Sequence, residues 1–152
     1  MKTTGLLIRT NATFLTFSFL MMILFTSSCA AQADFLVSSV VPAARGSVTV
    51  KKDKYNNYSL NIQLISLAEA GRLTPPKNMY VVWMVTDENI TKNIGQIRTS
   101  KSFFSKNLKA GFETKSSFRP VRIFITAEYD PNIQDTNSEV VLTTANFNLP
   151  KQ

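Results

Sequence analysis

Two hydrophobic patterns divide this chain. From Ala12 to Phe25 (ATFLTFSFLMMILF) apolar residues run almost unbroken and without charge, whereas from residue 45 onward they come in short bursts between polar turns. In Ser59–Leu67 (SLNIQLISL), Leu60, Ile62 and Leu64 alternate with Asn61 and Gln63. That period of two predicts a strand with one wet face. Met79–Thr86 (MYVVWMVT) is β-branched and aromatic with almost no polar relief, which predicts a strand covered on both faces. Ser47–Val50, Ile94–Arg98, Val121–Tyr129 (VRIFITAEY) and Glu139–Leu149 (EVVLTTANFNL) read as further strands. The stretch Lys101–Lys115 is mixed. Phe104, Leu108 and Phe112 fall at helical spacing, but Phe103, Gly111 and the neighbouring strands predict irregular β structure broken at Gly111. Leu73–Asn78, with Pro75 and Pro76, reads as a connection, as do the polar stretches Asp87–Asn93 and Asp130–Ser138.

Short strands separated by turns, with no convincing helix, predict an all-β antiparallel β-sandwich, and the immunoglobulin-like class fits best. Trp83 on a central strand is expected to be its anchor, buried between the sheets, with Tyr80 close by and Phe124 on a facing or adjacent strand.

The first pattern is of another kind. Lys2 and Arg9 are the only charges before Asp34, and the apolar run between Arg9 and Asp34 ends in small residues. A basic start, a short apolar core and small residues form the layout of a secretory signal. A spanning helix needs about 20 apolar residues, so an uncleaved anchor would have to recruit the weakly polar Thr26–Ala33. Two processing sites compete. Ala31-Gln32-Ala33 is an A-x-A triplet whose use would release a soluble chain starting at Asp34. Thr26-Ser27-Ser28-Cys29 resembles a bacterial lipobox, with Thr26 where an aliphatic residue is usual. Cys29 is the only cysteine of the chain. On the lipobox reading it is the lipidated first residue, which predicts a signal peptide over 1–28, a tether or edge strand over 29–44 and the sandwich over 45–150. The expected place is extracytoplasmic, held to a bacterial membrane by lipid, or secreted or periplasmic if the A-x-A site is used. Losing Lys2 and Arg9 lowers the net charge from +7 to +5, and no disulfide can form.

The chemistry expected of the chain is narrow. It has no histidine, the commonest general base and metal ligand. Asp87-Glu88 falls in a turn, and the five glycines are scattered singly rather than grouped to cradle a phosphate. Asp130, Asn132, Asp135, Asn137 and Glu139 are oxygen-rich, but Asp135 stands where a calcium loop of the EF-hand kind requires glycine. The reading is therefore non-enzymatic, with no metal, cofactor or small-molecule substrate. From Lys92 to Arg122 there are eight basic residues against the single acid Glu113, and from Glu128 to Glu139 four acids and no base. Lys101, Lys106, Lys109, Arg119 and Arg122 are the set expected to meet an anionic surface, either lipid headgroups or an acidic envelope polymer. The compartment argues against nucleic acid despite the charge.

Tyr80-Val81-Val82-Trp83-Met84-Val85, followed by Asn93-Ile94-Gly95-Gln96-Ile97, is similar to the extracytoplasmic domain of anti-sigma-K factors, with its Tyr-x-x-Trp-x-Val strand, polar turn and aliphatic-Gly strand. Val121–Glu128 with Val140-Val141-Leu142 resembles that family's closing strands, and Ala44–Val48 its first, so the resemblance covers Ala44 to Leu142. It implies a β-sandwich working outside the cytoplasm. Anti-sigma activity does not follow, because residues 1–11 are too few for a sigma-binding module ahead of the apolar run. The family's Gly-rich loop is also replaced by Asp130–Ser138. The function expected is a non-enzymatic, lipid-anchored domain for contact with an envelope protein or polymer. The alternative is a sensor or regulatory component acting with a separate membrane partner.

Overall fold

The alternating stretch around Leu60 lies inside the first of two sheets, and the doubly apolar Met79–Thr86 lies inside the second. The computed structural model describes residues 30–97 and 109–149. In chain order the strands are β1 (Ala30–Asp34), β2 (Arg45–Lys52), β3 (Tyr58–Ile65), β4 (Met79–Thr86), β5 (Thr91–Ile97), β6 (Lys109–Ser116), β7 (Pro120–Glu128) and β8 (Val140–Thr143). A single 3₁₀ turn at Ala70–Arg72 sits between β3 and β4. The sheets run β1-β2-β3-β6 and β5-β4-β7-β8, with every pairing antiparallel.

This order is the immunoglobulin-type Greek key. β2, β3 and β6 stand where that fold has strands A, B and E, and β5, β4, β7 and β8 stand as C′, C, F and G. β1 is an added strand on the outside of β2. The chain between β5 and β6, where a D strand would fall, lies outside the described residues.

Period-two patterning places the core. Val48 and Val50 on β2, Leu60, Ile62 and Leu64 on β3, Tyr80, Val82 and Met84 on β4 and Ile123 and Ile125 on β7 form one buried cluster between the sheets. Alternate residues point the other way. On β3 that leaves Gln63 and Ile65 exposed, but on β4 it leaves Val81, Trp83 and Val85, which are buried as well. β4 therefore needs a second cover, and it has one. Val81, Trp83, Val85 and Phe124 form a separate cluster on the outer face of the second sheet, with Ile133 of the Asp130–Ser138 loop packed against it.

This corrects the expected place of Trp83. It is fully buried, and Phe124 is its partner on the adjacent strand, but it lies under a loop and not between the sheets. The physical reason is its N–H group. A buried indole needs an acceptor, and the Thr126 hydroxyl on the outer face provides one at 2.9 Å, where the cluster between the sheets is apolar apart from the Tyr58 and Tyr80 hydroxyls and the Met84 sulfur.

Two other expectations change, and a third is narrowed. β6 passes through Gly111 without a break, because Gly111 pairs in register with Gln63 as a regular position. The final strand is shorter than expected, ending at Thr143. Beyond it the chain stays docked as Thr144 and Phe147 donate backbone N–H groups to the Ile123 and Val121 carbonyls, burying Phe147 and Leu149. Of the tether and the edge strand expected of the lead-in, the edge strand is the one that forms, over Ala30–Asp34. β1 pairs with β2, Phe35 bridges to Thr144 of the second sheet, and Phe35, Val41 and Ala44 are in the core.

One side of the sandwich is closed by a glycine and a ring. At Gly95 on β5 φ is +142°, and a Cβ there would lie 2.5 Å from Cζ of Phe112 on β6. Phe112 thus lies directly over the backbone of the opposite sheet's edge strand, a fit open only to glycine.

Candidate functional site

The residues expected to carry function are scattered by the fold. Cys29, Lys101 and Lys106 lie outside the described residues. Lys109 opens β6 opposite Ile65, whereas Arg119 follows the other end of that eight-residue strand, about 26 Å away at the usual rise. Arg119 donates from Nη2 to the Leu149 carbonyl at 2.6 Å, so it holds the C-terminal segment. Arg122 is exposed on the outer face of the second sheet, its guanidinium 6.0 Å from the Phe124 ring centre. Of the three described members, Arg119 and Arg122 therefore lie together at the start of β7, at the opposite end of the sandwich from Lys109.

The best-organised polar group lies elsewhere, on residues that sequence reasoning passed over. Trp83 Nε1 donates to Thr126 Oγ1, and the Thr126 hydroxyl donates onward to Glu128 Oε1 at 2.7 Å. Thr136 Oγ1 donates to the same oxygen, and Ser138 Oγ donates to Glu128 Oε2, both at 2.8 Å. Glu128 is thus a buried carboxylate with three hydroxyl donors, two of them from the loop. Asn93 holds the same loop from β5, donating from Nδ2 to the Pro131 and Ile133 carbonyls at 2.9 Å each. The arrangement latches the loop over Trp83. It explains the loop's oxygen-rich composition without a cation: Asp130 Oδ1 accepts the Asn132 N–H in a local turn, and among the described residues no group of three or more His, Cys, Asp or Glu is placed to hold a metal. The latching was legible only as the threonine and serine content of the loop.

The end of the sandwich nearest Cys29 has a different character. Ala30, the first residue of β1, pairs with Lys51, which pairs with Ser59, which pairs with Lys115. Tyr58 pairs with Ser116, and Thr86 with Pro120. The connections 53–57, 87–90 and 117–119 therefore converge on this one end. They surround an open hollow of about 520 Å³ lined by Asn56, Tyr58, Asp87, Glu88, Ser117, Phe118 and Arg119. Each connection also presents an apolar side chain to solvent: Tyr55 is 72% exposed, Ile90 44% and Phe118 39%. Lysines lie across the aromatic faces, with Lys54 Nζ 4.9 Å from the Tyr55 ring centre and Lys92 Nζ 4.0 Å from that of Phe118.

Two titrating groups are displaced. The backbone N–H of Asn57, followed by that of Tyr55, holds the Asp53 carboxylate below its usual pKa and fixes the 53–57 connection. Burial pushes the Tyr80 hydroxyl up to about 12, and it donates to the Ala68 carbonyl at 2.9 Å.

Among the described residues no helix is long and apolar enough to cross a membrane. Compared with protein-family models, curated proteins and solved structures, the chain matches none.

Proposed function

We propose that this chain is a non-enzymatic extracytoplasmic module, anchored to a bacterial membrane through lipid on Cys29, that presents its β-sandwich to a protein or polymer of the cell envelope. The observation that carries the reading is β1. Ala30–Asp34 is a paired strand, and Ala31 and Ala33 pack against the core between the sheets. Processing after Ala33 would remove four of its five residues, unpair β2 and uncover Val48 and Val50 along that edge. Processing before Cys29 keeps the strand whole. The strand pairing thus supports the lipobox-like site, with the A-x-A triplet read as small side chains suited to an edge strand.

The use made of the buried polar residues supports a binding role. Glu128, the most connected carboxylate, spends both oxygens on its own loop. Asp87 and Glu88 lie in an exposed turn at the mouth of an open hollow, without the enclosure that tunes catalytic carboxylates. Membrane fractionation of the full-length chain in a bacterial host tests the reading. The wild-type protein should sediment with membranes and resist salt extraction, and Cys29→Ala should either release it or block processing, read as a heavier chain that keeps residues 1–28. A Cys29→Ala chain that is processed to the wild-type length and still resists extraction would contradict it.

A further inference from the structure

If Cys29 carries the lipid, the geometry fixes which part of the domain lies against the bilayer. Ala30 follows Cys29 directly and is already paired with Lys51, so no flexible linker separates the anchor from the sheet. A free tether of many residues would let the domain tumble, but here no residue intervenes and one Cα-to-Cα step, about 3.8 Å, separates Cys29 from the paired strand. The end of the sandwich that holds Ala30 must therefore sit at the membrane surface. It is also the end where the connections 53–57, 87–90 and 117–119 converge.

Its side chains match that position. Tyr55, Ile90 and Phe118 project from three separate connections drawn from both sheets; Leu36, Val37, Ile65, Tyr129 and Val140 are exposed elsewhere, so it is the place beside Ala30, and not exposure alone, that marks these three. Amphipathic aromatics favour the headgroup layer. Lys52, Lys54 and Lys92 stand beside aromatic rings, Lys52 Nζ lying 5.9 Å from the Tyr58 ring centre. Long basic side chains can lie along such apolar surface while their charged ends reach phosphates. With Lys51 and Lys115 they outnumber the acids of this end, Asp53, Asp87 and Glu88, and Asp53 already accepts the Asn57 and Tyr55 N–H groups of its own turn.

We propose that this end of the sandwich is seated on an anionic lipid surface, with Tyr55, Ile90 and Phe118 in the headgroup layer and Lys52, Lys54 and Lys92 against lipid phosphates. The inference rests on the lipid anchor proposed for Cys29. It assigns the membrane contact to residues gathered around three connections, of whose lysines only Lys92 and Lys115 belong to the basic stretch Lys92–Arg122. The far end, with the 3₁₀ turn and the start of β4, is left facing the envelope for partners.

The test uses the full-length lipoprotein, purified and reconstituted into vesicles whose acyl chains carry a spin-label quencher. One cysteine is introduced for a fluorescent probe, at Ser117→Cys on the seated end or at Gly71→Cys on the far end. Both sites are exposed, and a Cβ at Gly71 meets only the Lys77 carbonyl at 3.8 Å, an ordinary contact. In vesicles containing phosphatidylglycerol, the probe at 117 should be quenched several-fold more than the probe at 71. The excess should shrink in phosphatidylcholine vesicles and in a Lys54→Glu, Lys92→Glu variant whose thermal melt matches the wild type. Equal quenching at the two sites, or an excess unchanged by lipid charge, would overturn the seating while leaving the anchor intact. A probe at 117 shielded from quencher within a cross-linkable dimer would overturn it in favour of a second copy. Recovery of chains that begin at Asp34 would instead sink the anchor itself.

Discussion

Trp83 and Phe124 face each other across β4 and β7 with their rings stacked, the centroids 6.1 Å apart and the planes 11° from parallel, on the side of the sheet that points away from the main core. A stacked pair in that position is stable only while the loop above it stays closed, because the pair would otherwise present a large aromatic patch to water. Trp83, Glu128 and the 130–138 loop are therefore parts of one device.

Trp83→Ala should destabilise the domain by ~3–5 kcal/mol, the usual cost of emptying a buried aromatic site, read as a lowered urea midpoint. Trp83→Phe should cost less but still weaken the loop, since Thr126 loses its indole donor while the packing is largely kept. Near-wild-type melting of the alanine variant would show that the outer cluster contributes nothing to stability.

Glu128→Ala leaves three hydroxyls without their shared acceptor and should cost ~1–3 kcal/mol. The effect should be local first. Amide exchange in 130–138 should rise well before exchange in β3 or β4 does, because the loop is latched by side chains and the sheets are not. Uniform acceleration across the chain would contradict the latch.

The parts of this fold that were legible in the sequence are those where one pattern had one explanation. Leu60, Ile62 and Leu64 alternate with polar residues, so the alternation alone dictates which way they point. The outcome at β4 was half legible: burial of both faces followed from its composition, but with apolar residues on both sets nothing in the run decided which way Trp83 points. β1 was obscured because AAQAD lacks the β-branched and aromatic residues that mark strands. The charge pattern alone did not place its members. Lys109 and Arg119 are ten residues apart in sequence, yet β6 carries them to opposite ends of the sandwich, whereas Arg119 and Arg122 stay together at the start of β7. The lysines grouped at the Cys29 end come from distant segments, so no linear window contains them.

Gly95→Ala should destabilise by ~1–3 kcal/mol, from the left-handed backbone and from the approach of Phe112. Combining it with Phe112→Ala should cost less than the sum of the single changes, since the smaller residue frees the space that the new methyl group needs. Contacting sites typically couple by about 0.5–3 kcal/mol. Strict additivity in chemical denaturation would show that the two residues do not share that space.

Alkaline pH should act through Tyr80. Its hydroxyl titrates near 10 in an unfolded chain and is pushed up to about 12 in the fold by burial. The folded state holds this proton more tightly, so the contribution to stability is complete below pH ~10 and disappears as pH rises through about 12. Tyr80→Phe cannot ionise and should show a shallower fall in urea midpoint over that interval than the wild type. Parallel curves would remove Tyr80 as a cause of alkaline unfolding.

Intact-mass analysis of the mature protein, recovered from the membranes of a bacterial host, tests the central claim most directly. The account predicts a chain that starts at Cys29 and carries the added mass of a diacylglyceryl group, with or without a further amide-linked acyl chain. A single unmodified species starting at Asp34 would contradict it, because that chain lacks the greater part of β1.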